Sequence, residues 1–182
     1  MIELVIVLAV LVAALAGLLA YRSRPPKRLR SAPGARRILL PFTGDSLDPT
    51  VLAAAIRIAR AERATLVPAY LLVVPLQYSE DSPLSQEVGV AMPLLEAVEH
   101  AALKAGVPVD VRIEKGRSPT HALQRLWDVE NFDRVIAPAP PLANGGRRNA
   151  GFTPKDLTWI LTSAPFETVV LKPAPDAADV AA

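Results

Sequence analysis

Arg37-Ile38-Leu39-Leu40-Pro41-Phe42, then Asp48-Pro49, then Leu52 to Ala61 (Leu-Ala-Ala-Ala-Ile-Arg-Ile-Ala-Arg-Ala), then Thr65 to Val74 read as one unit. The first stretch is a short apolar run, as expected of a strand buried on both faces. Asp48 supplies a cap, and Pro49 takes the first helical position, where its missing N–H costs nothing. Leu52, Ala55, Ile56 and Ala59 form the apolar stripe of that helix, with Arg57, Arg60 and Glu62 on its other side. Thr65 to Val74 is a second strand, with Pro68 confined to its beginning. Strand, helix and strand in this order is the repeating unit of a parallel sheet.

The pattern continues. Pro75 to Glu87 is a polar, acidic loop, followed by a helix from about Val90 to Ala105 that Gly106 stops. Val107 to Ile113 alternates Val109, Val111 and Ile113 with Asp110, Arg112 and Glu114, which suits the edge of a sheet. Ser118-Pro119 repeats the cap-plus-proline start, and Leu123, Leu126 and Trp127 face inward on that helix. Asp133 to Ala137 is a fourth strand. Thr153-Pro154-Lys155-Asp156 starts another helix with Asp156 at the capping-box position, and Thr168 to Leu171 is a fifth strand. Residues 37–172 are therefore expected to form a doubly wound, Rossmann-like α/β domain with a five-stranded parallel sheet. In such sheets ligands sit beyond the carboxyl ends of the strands. That zone collects Thr43-Gly44-Asp45-Ser46, the loop after Val74, and Pro138 to Thr153.

The 182 residues suit one such domain, but 51% hydrophobic residues and a mean hydropathy of +0.29 are high beside 21% charged residues. The excess lies at the start. Residues 1–21 carry one charge, Glu3, and at ~1.5 Å per residue a helix of that length just spans a hydrocarbon core of ~30 Å. A cleaved signal would want positive charge before the run, and here the chain opens Met1-Ile2-Glu3. A transmembrane helix is expected over 1–21, and Ala9, Ala13 and Gly17 on one face would let two copies approach. The linker 22–36, with Arg37, holds Arg22, Arg24, Lys27, Arg28, Arg30 and Arg36 and no acid. This flank predicts a single-pass protein of the cell membrane with its C-terminal domain in the cytoplasm, and anionic lipids as partners of residues 1–37. From residue 38 onward 13 basic residues face 17 acidic ones, so the pI of about 9.1 belongs to the tether and not to a nucleic-acid-binding surface. Residues 173–182 read as a disordered tail. Zero cysteines exclude disulfides, thiolate catalysis and cysteine-based metal sites.

Few residues invite chemistry. His121 and His100 read as solvated helix residues, and no triad or metal-ligand spacing is found. Gly44-Asp45-Ser46 reads as a turn. Asn144-Gly145-Gly146-Arg147-Arg148 sets flexible backbone N–H groups beside two guanidinium groups, a pattern that suits phosphate, and Thr153 adds a hydroxyl at a helix start.

The order of segments resembles the universal stress protein family. Arg37 to Phe42 resembles its opening strand, Leu52 to Ala61 its first helix, and Val107 to Gly116 its third strand with the glycine after it. Ala164-Pro165 before Thr168-Val169-Val170-Leu171 is similar to its closing segment. The resemblance implies a five-stranded parallel sheet, dimerised through the last strand, with ATP bound by some members. The family's ATP binders place an aspartate near the end of the first strand, where this chain has Thr43. Their phosphate loop runs glycine, two residues, glycine, nine residues, glycine, then Ser or Thr. Its first two glycines fall on Pro138 and Pro141, and its third on Gly151, followed by Phe152. Proline lacks the N–H that meets a phosphate and the backbone freedom that glycine brings.

The sequence thus leads to a membrane-anchored, non-catalytic homodimer of this type in a stress response. It would pair through Thr168 to Leu171, act on a membrane-protein partner, and use no cofactor, metal or nucleic acid. The alternative is a sensor of ATP, ADP or AMP with a rebuilt site drawn from Thr43, Gly44, Asp45, Val74, Gly145, Gly146, Arg147, Arg148, Gly151 and Thr153.

Overall fold

The computed structural model describes residues 36–44, 47–80, 82, 85–140 and 152–172. The elements run β1 (Arg37–Phe42), α1 (Pro49–Ala61), β2 (Thr65–Val73), α2 (Ser85–Lys104), β3 (Arg112–Gly116), α3 (Pro119–Val129), β4 (Arg134–Pro138), α4 (Pro154–Ser163) and β5 (Glu167–Leu171). The sheet order is β3-β2-β1-β4-β5, and every ladder is parallel. The expected transmembrane helix, most of the linker and the tail lie outside the described residues. Among the described residues no helix is long and apolar enough to cross a membrane.

Alternation along the strands divides the core into two layers. Ile38 and Leu40 of β1 meet Val51, Ala55, Ile56 and Ala59 of α1, while Phe42, Tyr70 and Leu72 meet Ala91 and Leu95 of α2. Leu39, Val67, Ala69 and Leu71 point the other way, onto Ala122, Leu123 and Leu126 of α3 and Ile160 of α4. Each face thus has two helices, as double winding requires. Trp127 of α3 is only half-buried, and its ring stacks on Trp159 of α4 at 4.9 Å, with Phe166 edge-on at 5.5 Å. At the turn into α3, a Cβ on Gly116 would lie 2.5 Å from the backbone nitrogen of Ala122, so only glycine lets that helix approach β3.

Two elements differ from the sequence expectation. α2 starts at Ser85, not near Val90, and holds Pro93 inside it. Packing of Val88, Ala91 and Leu95 against Phe42 and Tyr70 carries the helix back through Gly89, overriding local propensity. Of the stretch expected as a strand over Val107 to Ile113, Arg112 and Ile113 begin the β2–β3 ladder, which runs on to Gly116, while Val107 to Val111 contributes only a single bridge, Leu66 to Val109. Both pieces share one register, and Pro68 explains the gap. Leu66 donates its N–H to the Pro108 carbonyl at 2.9 Å, so alternation aims the next such position, residue 68, at β3 as well. Proline has no hydrogen to give there.

At the amino end of the sheet, charge takes over from packing. Arg112 makes a bidentate contact with Asp110 (2.5 and 2.8 Å) and donates to Glu130 at 2.7 Å. Arg37 reaches the same two carboxylates at 3.1 and 2.6 Å, its guanidinium over the Phe132 ring. Burial alone would raise the Glu130 pKa; the hydrogen bond and charge of Arg112, with those of Arg37, outweigh it and hold the carboxyl below its usual range. A carboxyl so depressed stabilises the fold above its unfolded pKa, and that stabilisation is lost as pH falls through the folded value. Glu130→Gln is therefore expected to cost roughly 1–2 kcal/mol near neutrality. Urea-unfolding curves of wild type and variant should converge in acid; a constant gap down to the lowest pH would refute this account.

Candidate functional site

The switch of strand order falls between β1 and β4, and their ladder is short. It comprises only Ile38 with Arg134 and Leu39 with Val135. The reason is again the direction of the N–H groups. Thr65 donates to Arg36 O at 2.8 Å, and Ala139 donates to Leu171 O at 2.7 Å. Alternation then points the amides of residues 41 and 138 at each other's strands, and both residues are proline. Beyond Leu39 the two strands lack the donors that would zip them together. This is the crevice in which doubly wound sheets hold ligands.

Around it, Thr43 follows β1, and Gly44 adopts φ 88°, a left-handed conformation that favours glycine. Val74 is buried; its N–H donates to Gly116 O at 2.9 Å. Thr153 caps α4, and its hydroxyl donates to the Asp156 carboxylate at 2.6 Å while the Thr153 N–H meets the same oxygen at 2.9 Å. The capping box thus already sets a carboxylate at the positive end of α4, in the place an anionic ligand of that terminus would take. Thr43, Gly44, Val74 and Thr153 all sit on the carboxyl side of the sheet. Asp45, Gly145, Gly146, Arg147, Arg148 and Gly151 lie outside the described residues.

Sequence reasoning missed Arg117. Directly after Gly116, its Nη1 donates to the carbonyls of Pro75 (2.8 Å), Tyr78 (3.0 Å) and, more weakly, Val74 (3.4 Å). Its Nε lies 3.1 Å from Glu80, which Arg125 also reaches at 3.0 Å, and Lys115 donates to Ser82 O at 2.8 Å. Three cations, Lys115 of β3, Arg117 of the turn after it and Arg125 of α3, therefore strap the loop after β2 beside the crevice. The available signal was a basic residue between a strand-ending glycine and a Ser-Pro helix start. His121 is exposed, as expected, and its Nδ1 accepts the Arg117 N–H at 3.2 Å; His100 is exposed as well. Glu114, below the strap, has its pKa raised by burial and by the charge of Glu130, against the opposing charge of Arg125.

No family model matches this chain, and no curated protein matches it significantly. Solved structures do. A universal stress protein from Lactobacillus plantarum superposes with a TM-score of 0.57 at 17% identity, covering 75% of this chain and 97% of its own. A universal stress protein family member from Burkholderia pseudomallei gives 0.53 at 18% identity, covering 76% and 96%. An Arabidopsis thaliana member, solved with AMP bound, gives 0.55 at 13% identity, covering 78% and 94%. The chain has the universal stress protein fold, and the resemblance read from the sequence holds at that level.

Replacing Arg117 by alanine should free the loop without unfolding the sheet. Hydrogen exchange of the amides between Leu76 and Glu80 is expected to rise at least tenfold, the loss of ~1.4 kcal/mol of local protection. Unchanged exchange in that loop would mean that Arg117 is not what holds it.

Proposed function

We propose that this chain is a membrane-anchored, cytoplasmic module of universal stress protein type that works as a non-catalytic homodimer in a stress response and docks or regulates a membrane partner. The observation that carries the reading is the β5 edge. Among the described residues β5 ends the sheet and pairs only with β4, none of its residues is fully buried, and Val170 (38% exposed) leaves apolar surface on the strand. A strand edge of this kind favours pairing with a second strand. The apolar residues 1–21 and the basic flank after them support the anchor. Near the crevice, Glu80 is tied to Arg117 and Arg125, and Asp156 to its helix cap, so these carboxylates are engaged in structure and not free to act as a general base.

The mass of the detergent-solubilised chain tests the dimer. Light scattering should give twice the chain mass, and Val170→Asp, which sets like charges against each other across a two-fold strand pair, should give the monomer. A monomeric wild type would defeat the reading.

A second reading, a nucleotide sensor, has its own support: the crevice beyond Pro41 and Pro138, and similar structures described in complex with cAMP, AMP and dAMP. Calorimetric titration with ATP, ADP, AMP and cyclic AMP separates the two. Binding with a Kd below the millimolar range establishes the sensor, and no heat at millimolar nucleotide removes it.

A further inference from the structure

The body has more acids than bases, but α1 inverts that balance locally. Arg57 and Arg60 of α1 and Arg63 just beyond its end follow at three-residue intervals, all exposed, with Thr50 and Ala53 continuing the solvent face of the helix. No described residue accepts a hydrogen bond or ion pair from the three guanidinium groups. Glu62, which closes the helix, is already held by Arg134 and by Arg36. The neighbourhood therefore presents cations whose acid is spent elsewhere.

This surface adjoins the tether. Arg36 is exposed, its guanidinium lies 3.4 Å from Glu62, and its carbonyl accepts the Thr65 N–H at 2.8 Å, two residues beyond Arg63. Arg36 and Arg37, the last two residues of the basic segment, therefore enter the domain beside the last turn of α1, next to Arg63.

We propose that the outer face of α1 is a docking surface for an anionic lipid bilayer, so that the domain lies against the membrane with α1 next to the headgroups. Guanidinium groups meet phosphates bidentately and are more weakly hydrated than ammonium groups, so they suit a phosphodiester surface. Each basic residue near such a surface contributes about fivefold to binding. A nucleic acid fits less well. Arg57 and Arg60 lie only ~4.5 Å apart along the helix, with Arg63 just past its end, whereas duplex binders commonly engage ~6–10 phosphates. The proposal takes proximity to a bilayer from the anchored reading and needs nothing from the dimer.

The test uses the full chain reconstituted into vesicles. With no native cysteine, Ala53→Cys on α1 and Lys155→Cys on α4, across the sheet, each give a unique site for a fluorescent probe. In vesicles of phosphatidylcholine with phosphatidylglycerol, acrylamide should quench the Ala53 probe several-fold less than in phosphatidylcholine alone. The Lys155 probe should be quenched equally in both. Arg57→Gln, Arg60→Gln and Arg63→Gln together, surface changes that leave the core intact, should weaken docking by up to ~100-fold and abolish the shielding. Equal quenching at Ala53 in both vesicles, or shielding that survives the triple substitution, overturns the proposal. A chain that does not co-float with neutral vesicles would refute the anchor separately. In that case arginine-dependent flotation with anionic vesicles still supports the surface, and its absence overturns it. Arginine-dependent retention of duplex DNA with no lipid-dependent shielding overturns it in favour of a nucleic acid.

Discussion

A strand inside a parallel sheet must send alternate N–H groups to opposite neighbours, and this chain places proline at three positions where such a donor is due. Pro68 interrupts the β2–β3 ladder, while Pro41 and Pro138 end the β1–β4 ladder after Leu39 and Val135. Central strands rarely accept proline for this reason. Here the loss falls at the strand switch, and side-chain burial holds what hydrogen bonds do not. Leu39, Val135 and Ala137 are packed under α3 and α4, and Ile38, Leu40 and Ile136 under α1. The crevice is therefore bordered by buried apolar side chains and lacks amide hydrogens at Pro41 and Pro138.

What the sequence revealed, it revealed through long-period and terminal signals. The apolar runs of β1, β2 and β4 and the three proline-headed caps at Asp48, Ser118 and Thr153 locate their elements to within about a residue. The start of α2 was hidden because Gly89 and Pro93 weaken a helix that tertiary packing restores. The break in β3 was hidden because its cause, Pro68, sits on the neighbouring strand. Arg117 escaped notice for a similar reason. A lone arginine has no periodicity, and its role as a strap exists only once β2 and β3 are adjacent. The sequence also placed Thr43, Gly44, Val74 and Thr153 at the carboxyl end of the sheet, where the structure has them. It also gave the capping box of Thr153 and Asp156, which the structure shows closed.

Charge divides the domain in a way that composition averages away. At the amino end, Arg37, Arg112, Asp110 and Glu130 neutralise one another within hydrogen-bond distance, and Arg134 does the same between Glu62 and Glu167. Such part-buried groups hold the strand starts in place and have no charge left for a partner. At the carboxyl end, Glu80 absorbs Arg117 and Arg125. Arg57 and Arg60 of α1 differ in kind because among the described residues they have no such counter-charge, which is why the proposed lipid surface is placed there.

The two proposed contacts are geometrically compatible, and each strengthens the other. An antiparallel β5–β5 pair has its two-fold axis perpendicular to the sheet, so it extends one continuous sheet and keeps the same face of both subunits on the same side. α1 and α2 cover one face, and α3 and α4 the other. A dimer built this way sets both α1 surfaces toward a single bilayer. Two weak lipid contacts then act together, the second at the high effective concentration set by the first. The crevices of such a dimer would open along the membrane plane, since strands lie parallel to a sheet whose face is docked. Both would remain accessible from the cytoplasm, and a ligand or partner could engage them without lifting the domain off the lipid.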